Sequence, residues 1–254
     1  MLEVSKLNVI EKGVMKIALA QINTTVGDFP GNSRKILDFH QRAVSQGAEL
    51  VVFPELCMTG YPPRDLVLRR QFVDDNLAAL ESVASQIGGA PALVGFVDRV
   101  RAEAGSDIAN AAALLQGGKV AARIHKTLLP TYDVFDEDRY FHPGEKNAPI
   151  DVGGVKVGVT ICEDIWNDAD FWPKRLYDRD PVTDLKNGGA QLIVNLSASP
   201  WHLGKLKMRR DMIRTVAKKD RLPIVYCNAV GGNDERVFDG SSLAFNASGE
   251  LVAL

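Results

Sequence analysis

Apolar positions cluster in stretches of strand length at 16–22, 50–55, 91–97, 110–116, 120–126, 155–161, 191–197, 223–230 and 241–247. Several are continuous rather than alternating, as in "VKVGVTI" and "QLIVNLS". Strands read this way when helices cover the sheet. Between them the period lengthens. "NSRKILDFHQRAVSQG" places Ile36, Phe39, His40, Ala43 and Val44 near one helical face, with Asn32 or Ser33 as the expected N-cap and Gly47 as the stop. A second helix is expected from about Leu68 to Ile87, and a third from about Gly204 to Lys219, where Met208, Met212, Ile213 and Val216 form the stripe. Alternating strands and helices predict an α/β fold. The last segment, "SSLAFNASGELVAL", reads as strand, turn and strand. Because it stops inside an apolar run, the polypeptide is expected to continue in nature. Residues 1–14, "MLEVSKLNVIEKGV", read as an extension ahead of a domain spanning 15–254.

Composition narrows the classes. With 254 residues, 46% hydrophobic and 24% charged, one large soluble domain is expected. A formal charge of -2 provides no general attraction to nucleic acid or anionic membrane. The one basic run, Lys205 to Arg221, carries Asp211 and Asp220 and an apolar stripe, the pattern of a solvated helix face. No apolar run reaches the roughly 18 residues of a membrane span, and the N-terminus has no secretory h-region. The cysteines at 57, 162 and 227 form no paired motif, which fits a reducing cytoplasm. The four histidines show no metal-ligand spacing.

Chemistry collects at strand ends, where open α/β sheets place their sites. Cys162 ends one buried run in "GVTICEDIW", Glu55 ends another in "VVFPE", and Lys126 ends a third in "ARIHK". A buried thiol alone is usually core, and a lone strand-end Glu or Lys is usually a cap or a solvated charge. Together the three suit amide cleavage. A free thiol is mostly protonated at neutral pH and needs a base, a role open to Glu55. Lys126 and the backbone N–H of Glu163 suit the oxyanion. Glu163 and Asp164, following the thiol at once, are expected to line a polar pocket at the sheet edge.

"FPELCMTGYPPRDL", "HKTLLPTYDVFDEDRYFHPG" and "GVTICEDIW" resemble the Glu, Lys and Cys motifs of the nitrilase, or carbon–nitrogen hydrolase, superfamily. With "NLSASPWHLGK" and "RLPIVYCNAVGGNDERVFDGSS", residues 15–254 look like the glutaminase domain of glutamine-dependent NAD synthetases. The resemblance implies a four-layer α-β-β-α sandwich and homo-oligomers. It also implies hydrolysis of L-glutamine through a Cys162 thioester, with Glu137 as a fourth carboxylate supporting Lys126. Glutamine contacts map onto Tyr132, Ser199 and Lys205, with Tyr61 at the pocket and Glu163 suited to the substrate ammonium. No metal or cofactor is implied for this step. ATP and Mg2+ belong to a synthetase domain that amidates deamido-NAD, and this sequence lacks the phosphate-binding loops such a domain carries. Glutamine turnover is therefore expected to be weak or absent until that partner domain is present. A freestanding amidase acting on another small amide, or a silent assembly or sensing domain, are the other readings of the same residues.

Overall fold

In the computed structural model, which describes residues 2–9, 13–133 and 135–254, the apolar runs become strands covered on both faces. The first sheet contains, in spatial order, β1 (Leu2–Val9), β2 (Gly13–Ala20), β3 (Leu50–Val52), β4 (Ala92–Arg99), β5 (Ile108–Gln116) and β6 (Lys119–His125). Its central pairs β2–β3 and β3–β4 are parallel, and the pairs β1–β2, β4–β5 and β5–β6 are antiparallel. Residues 2–9 and 13–14, read from sequence as an extension, thus pair along the sheet edge, while 1 and 10–12 lie outside the described residues.

The second sheet is built from β7 (Ile150–Val152), β8 (Val155–Ile161), β9 (Leu192–Ser197), β10 (Ile224–Asn228), β13 (Leu243–Phe245) and β14 (Leu251–Ala253). Here β8, β9 and β10 run parallel at the centre. A separate hairpin joins β11 (Val230–Asn233) to β12 (Arg236–Asp239).

Side-chain alternation assigns each face. Ile17, Leu19, Leu50 and Val52 of the first sheet pack against Val157, Val159, Leu192 and Val194 of the second, forming the core between sheets. The intervening Ala18, Ala20 and Val51 face outward onto helices α1 (Phe29–Ser45) and α2 (Arg70–Ala84). Ile193, Ile224 and Tyr226 face outward from the second sheet onto α3 (Pro181–Asn187) and α4 (Lys205–Asp220). Period-2 burial on both faces explains the unbroken apolar runs. The layers are α-β-β-α, as the resemblance implied.

Two helix details differ from the sequence pattern. The cap of α1 is Asp28, whose Oδ1 accepts from the Gly31 N–H at 2.9 Å, so the helix starts ahead of Asn32. Pro30 in the first turn costs nothing there, since that N–H has no intrahelical acceptor. Asn32 instead lies inside the helix, buried, donating from Nδ2 to the carbonyls of Thr25 and Met58. On α4, Met208 is only partly buried, and the fully buried neighbour is Arg209. Its guanidinium pairs with Asp239 at 3.2 Å and lies over the Tyr226 ring, which makes burial of the charge tolerable.

Candidate active site

Glu55 lies three residues past β3, Lys126 directly past β6, and Cys162 directly past β8. Strands of both sheets therefore deliver them to one edge. Cys162 opens a short 3-10 helix, Cys162–Ile165, with φ of 44°, and Leu56 beside Glu55 has φ of 46°. Left-handed backbone at non-glycine residues is costly and concentrates where a side chain must be aimed.

Lys126 is completely buried and carries two carboxylates. Its Nζ donates to Glu55 Oε1 at 2.8 Å and to Glu137 Oε2 at 2.7 Å. Glu55 Oε1 also accepts from Asn110 Nδ2 at 2.7 Å, and Oε2 accepts from the Ala198 N–H, just past β9, at 2.9 Å. Tyr61 donates its hydroxyl to Glu137 Oε1 at 3.1 Å. Neither Glu55 nor Lys126 is a solvated strand-end charge.

Burial pushes the Cys162 thiol well above its ordinary value, the Glu55 carboxylate adds to this, and Lys126 opposes it. The resting sulfur is thus a neutral thiol beside a base, not a preformed thiolate. For Lys126 burial acts downward, but Glu137 and Glu55 hold its ammonium well above the usual range. Glu137 is raised by burial, with Lys126 pulling the other way. Glu55 Oε2 has one donor on it and retains a lone pair for the thiol's proton.

Around this cluster stands a second group. Glu163 is buried, and its Oε1 accepts from Tyr132 at 2.7 Å and Tyr177 at 3.2 Å. Burial raises its carboxyl, against the Tyr132 hydrogen bond. Lys205 Nζ sits 4.2 Å from the centre of the Trp166 ring, and burial lowers its pKa while Cys162 and Glu163 act to raise it. Ser199 is buried next to Ala198, its N–H donated to Asn228 Oδ1 at 2.9 Å. All nine residues singled out from the sequence thus converge on this region, and Tyr61 meets Glu137 in it. Asp164 departs from expectation. Its carboxylate turns away from Glu163 and bonds to backbone N–H groups of Ile161, Thr127 and Leu128.

The sequence pattern missed Asn110 and Tyr177. An amide inside the apolar "IANAAALL" was a usable signal, because a buried polar group needs a partner. Tyr177 had none, since its loop reads only as polar and irregular. A cavity of about 160 Å³ opens beside Tyr61, Phe135, Glu137 and Arg236. A roomier groove, about 530 Å³, follows α4 and β14 and touches none of these residues.

Backbone packing supports the site from behind. A Cβ on Gly95 would come within 2.3 Å of Leu56 N and 2.5 Å of Pro54 O, so β4 can lie under the Glu55 turn only without a side chain. Gly95→Ala is expected to displace that turn, costing about 1–3 kcal/mol by overpacking. A denaturant midpoint unchanged from the parent protein would show that the turn yields freely.

A buried Glu–Lys–Glu cluster beside a thiol at the edge of an α-β-β-α sandwich defines a class of amide-cleaving hydrolases. The chain belongs to the carbon-nitrogen hydrolase family, whose description matches residues 16–254. Among its relatives are glutamine-dependent NAD(+) synthetases of Synechocystis sp., 43% identical over 240 residues, and of Thermotoga maritima, 43% identical over 241 residues. These alignments cover 93% and 94% of this chain but 43% and 39% of the relatives, so the chain spans about two fifths of their length. The solved structure of the Acinetobacter baumannii glutamine-dependent NAD+ synthetase superposes with a TM-score of 0.83 at 32% identity, covering 98% of this chain and 43% of that one. An amidase of the nitrilase superfamily from Nesterenkonia gives 0.76 at 25% identity, covering 93% and 84%.

Proposed function

We propose that this chain hydrolyses the side-chain amide of L-glutamine to glutamate and ammonia through a thioester on Cys162. The observation that carries this is Cys162, delivered by β8 to the same sheet edge as a buried Glu55–Lys126–Glu137 cluster. Cys162 attacks the amide carbon as its proton passes to Glu55. Lys126 and the Glu163 N–H stabilise the oxyanion. Glu55 returns the proton to the nitrogen, the carbon–nitrogen bond breaks, and ammonia leaves. Water then attacks the thioester, again losing a proton to Glu55, and the sulfur departs as Cys162 regains it. Base, cation and nucleophile all come from the chain, so the step calls for no cofactor.

Support for the substrate comes from two oppositely charged side chains of the site. The Glu163 carboxylate, gripped on one oxygen by two tyrosines, suits an ammonium, and Lys205 suits a carboxylate. The relatives' names point to glutamine, and a glutamate-to-glutamine variant of an amidase 25% identical to this chain takes a Michael addition of acrylamide at its active-site cysteine. The ammonia would feed an ATP- and Mg2+-dependent synthetase domain that amidates deamido-NAD. Homo-oligomers and a cytoplasmic setting, consistent with three free cysteines, belong to the same proposal. Among the described residues no helix is long and apolar enough to cross a membrane.

The test compares ammonia release from glutamine, asparagine and propionamide. Glutamine is expected to be strongly preferred. Glu163→Gln is expected to raise KM for glutamine on the order of 10- to 100-fold while changing propionamide turnover little, because only glutamine carries the ammonium. Propionamide cleaved as well as glutamine by the parent protein would favour a general small-amide amidase.

A further inference from the structure

Asp164 is almost fully buried, at 1% exposure, yet plays no part in the chemistry above. Its Oδ2 accepts from the Ile161 N–H at 2.9 Å. Its Oδ1 accepts from the Thr127 N–H at 3.0 Å and the Leu128 N–H at 2.8 Å. Ile161 immediately precedes Cys162, and Thr127 and Leu128 immediately follow Lys126. One carboxylate thus holds the two segments that present the nucleophile and the cation, and these segments come from different sheets. The Lys126 segment is anchored independently, with its N–H on Asn110 O at 2.8 Å and its carbonyl taking the Gly144 N–H at 2.7 Å. The Cys162 turn, in left-handed backbone, is therefore tied to a fixed post. Burial pushes the Asp164 carboxyl up to about 7, and the hydrogen bonds from Ile161 and Leu128 lead the effects that hold it down.

We propose that Asp164 is a positioning residue that sets the distance and angle between the Cys162 thiol and the Lys126 ammonium. The proposal rests on Cys162 being the nucleophile, and is independent of which amide is cleaved. The carboxylate is suited to this because each side of the clasp needs an acceptor and the ion offers two oxygens with no hydrogen. Asparagine matches the shape but has one oxygen. Whichever way it is turned, its NH2 opposes an N–H, so one side opens.

The experiment uses Asp164→Asn in the full chain, with melting curves for both proteins. Acrylamide, a small amide-bearing electrophile, is the probe, and alkylation of Cys162 is followed by peptide mass analysis. The alkylation rate of the folded protein is expected to fall on the order of 100-fold, and kcat for glutamine by a similar factor, with KM changed less than about threefold. Rates within about twofold of the parent, or losses matching the unfolded fraction alone, would overturn the proposal. Should Asp164→Asn fail to fold, amide hydrogen exchange on the unaltered chain decides. Exchange at Ile161, Thr127 and Leu128 as slow as in the core strands supports the clasp, and rapid exchange overturns it. If the parent protein alkylates at Cys162 but leaves glutamine intact even with a synthetase domain supplied, the substrate reading fails, and the alkylation ratio still tests Asp164.

Discussion

Cys162→Ala is expected to yield a folded protein in which amide hydrolysis is reduced on the order of 10,000-fold or more. In the proposed mechanism the sulfur is the one protein atom that bonds to substrate carbon, and neither Glu55 nor Lys126 replaces it. Stability should change by about 1 kcal/mol, because the thiol is neutral at rest and its removal strips no charge from the cluster. Paired melting curves and ammonia assays separate the two effects. After acrylamide treatment the peptide containing position 162 should gain no mass. Substantial residual turnover would move the nucleophile elsewhere.

Lys126→Met has a different signature, since it strikes folding and catalysis together. Methionine roughly fills the space but leaves Glu55 and Glu137 facing each other, at 1% and 5% exposure, without a cation. Removing one partner from a buried charge network costs about 3–5 kcal/mol. Activity should fall at least about 1,000-fold with the charged one of the two proposed oxyanion donors gone. The pH dependence identifies the cause. Burial already raises the Glu137 carboxyl, and Lys126 is the strongest influence holding it down. A carboxyl raised in the folded state favours folding fully below its unfolded pKa of about 4.3, and that contribution is lost as pH rises through the folded value. Deleting Lys126 raises the folded value further and widens the window. The variant should therefore recover melting temperature on acidification from pH 8 towards 5 more than the parent protein does. Equal pH profiles would show that the carboxylates had found other partners.

These variants bear on how far the site could be read in advance. Glu55, Lys126 and Cys162 were legible because each terminates an apolar run, a local property that survives without knowledge of the fold. Asn110 was legible in principle, as an amide in an apolar strand, yet its partner Glu55 is 55 positions away. The two adjacent acids after Cys162 looked equivalent. In the structure one faces two tyrosines from separate loops and the other clasps backbone from another sheet. Consecutive positions of the 3-10 helix at 162–165 point about 120° apart, and apolar periodicity carries no information about so short a turn.

By itself the sequence determined the α/β class, the strand runs buried on at least one face, most of the helices, and the thiol, acid and amine at strand ends. These follow from the spacing of apolar residues and from side-chain chemistry, both written locally in the chain. Only the tertiary structure decided that Asn110 holds Glu55, that Tyr177 joins Tyr132 on Glu163, that Asp28 caps α1, and that Asp164 bridges two sheets. The reason is physical. Each of these contacts satisfies a buried or terminal polar group with whatever donor or acceptor the packing of remote segments brings within about 3 Å, and no local pattern encodes that distance.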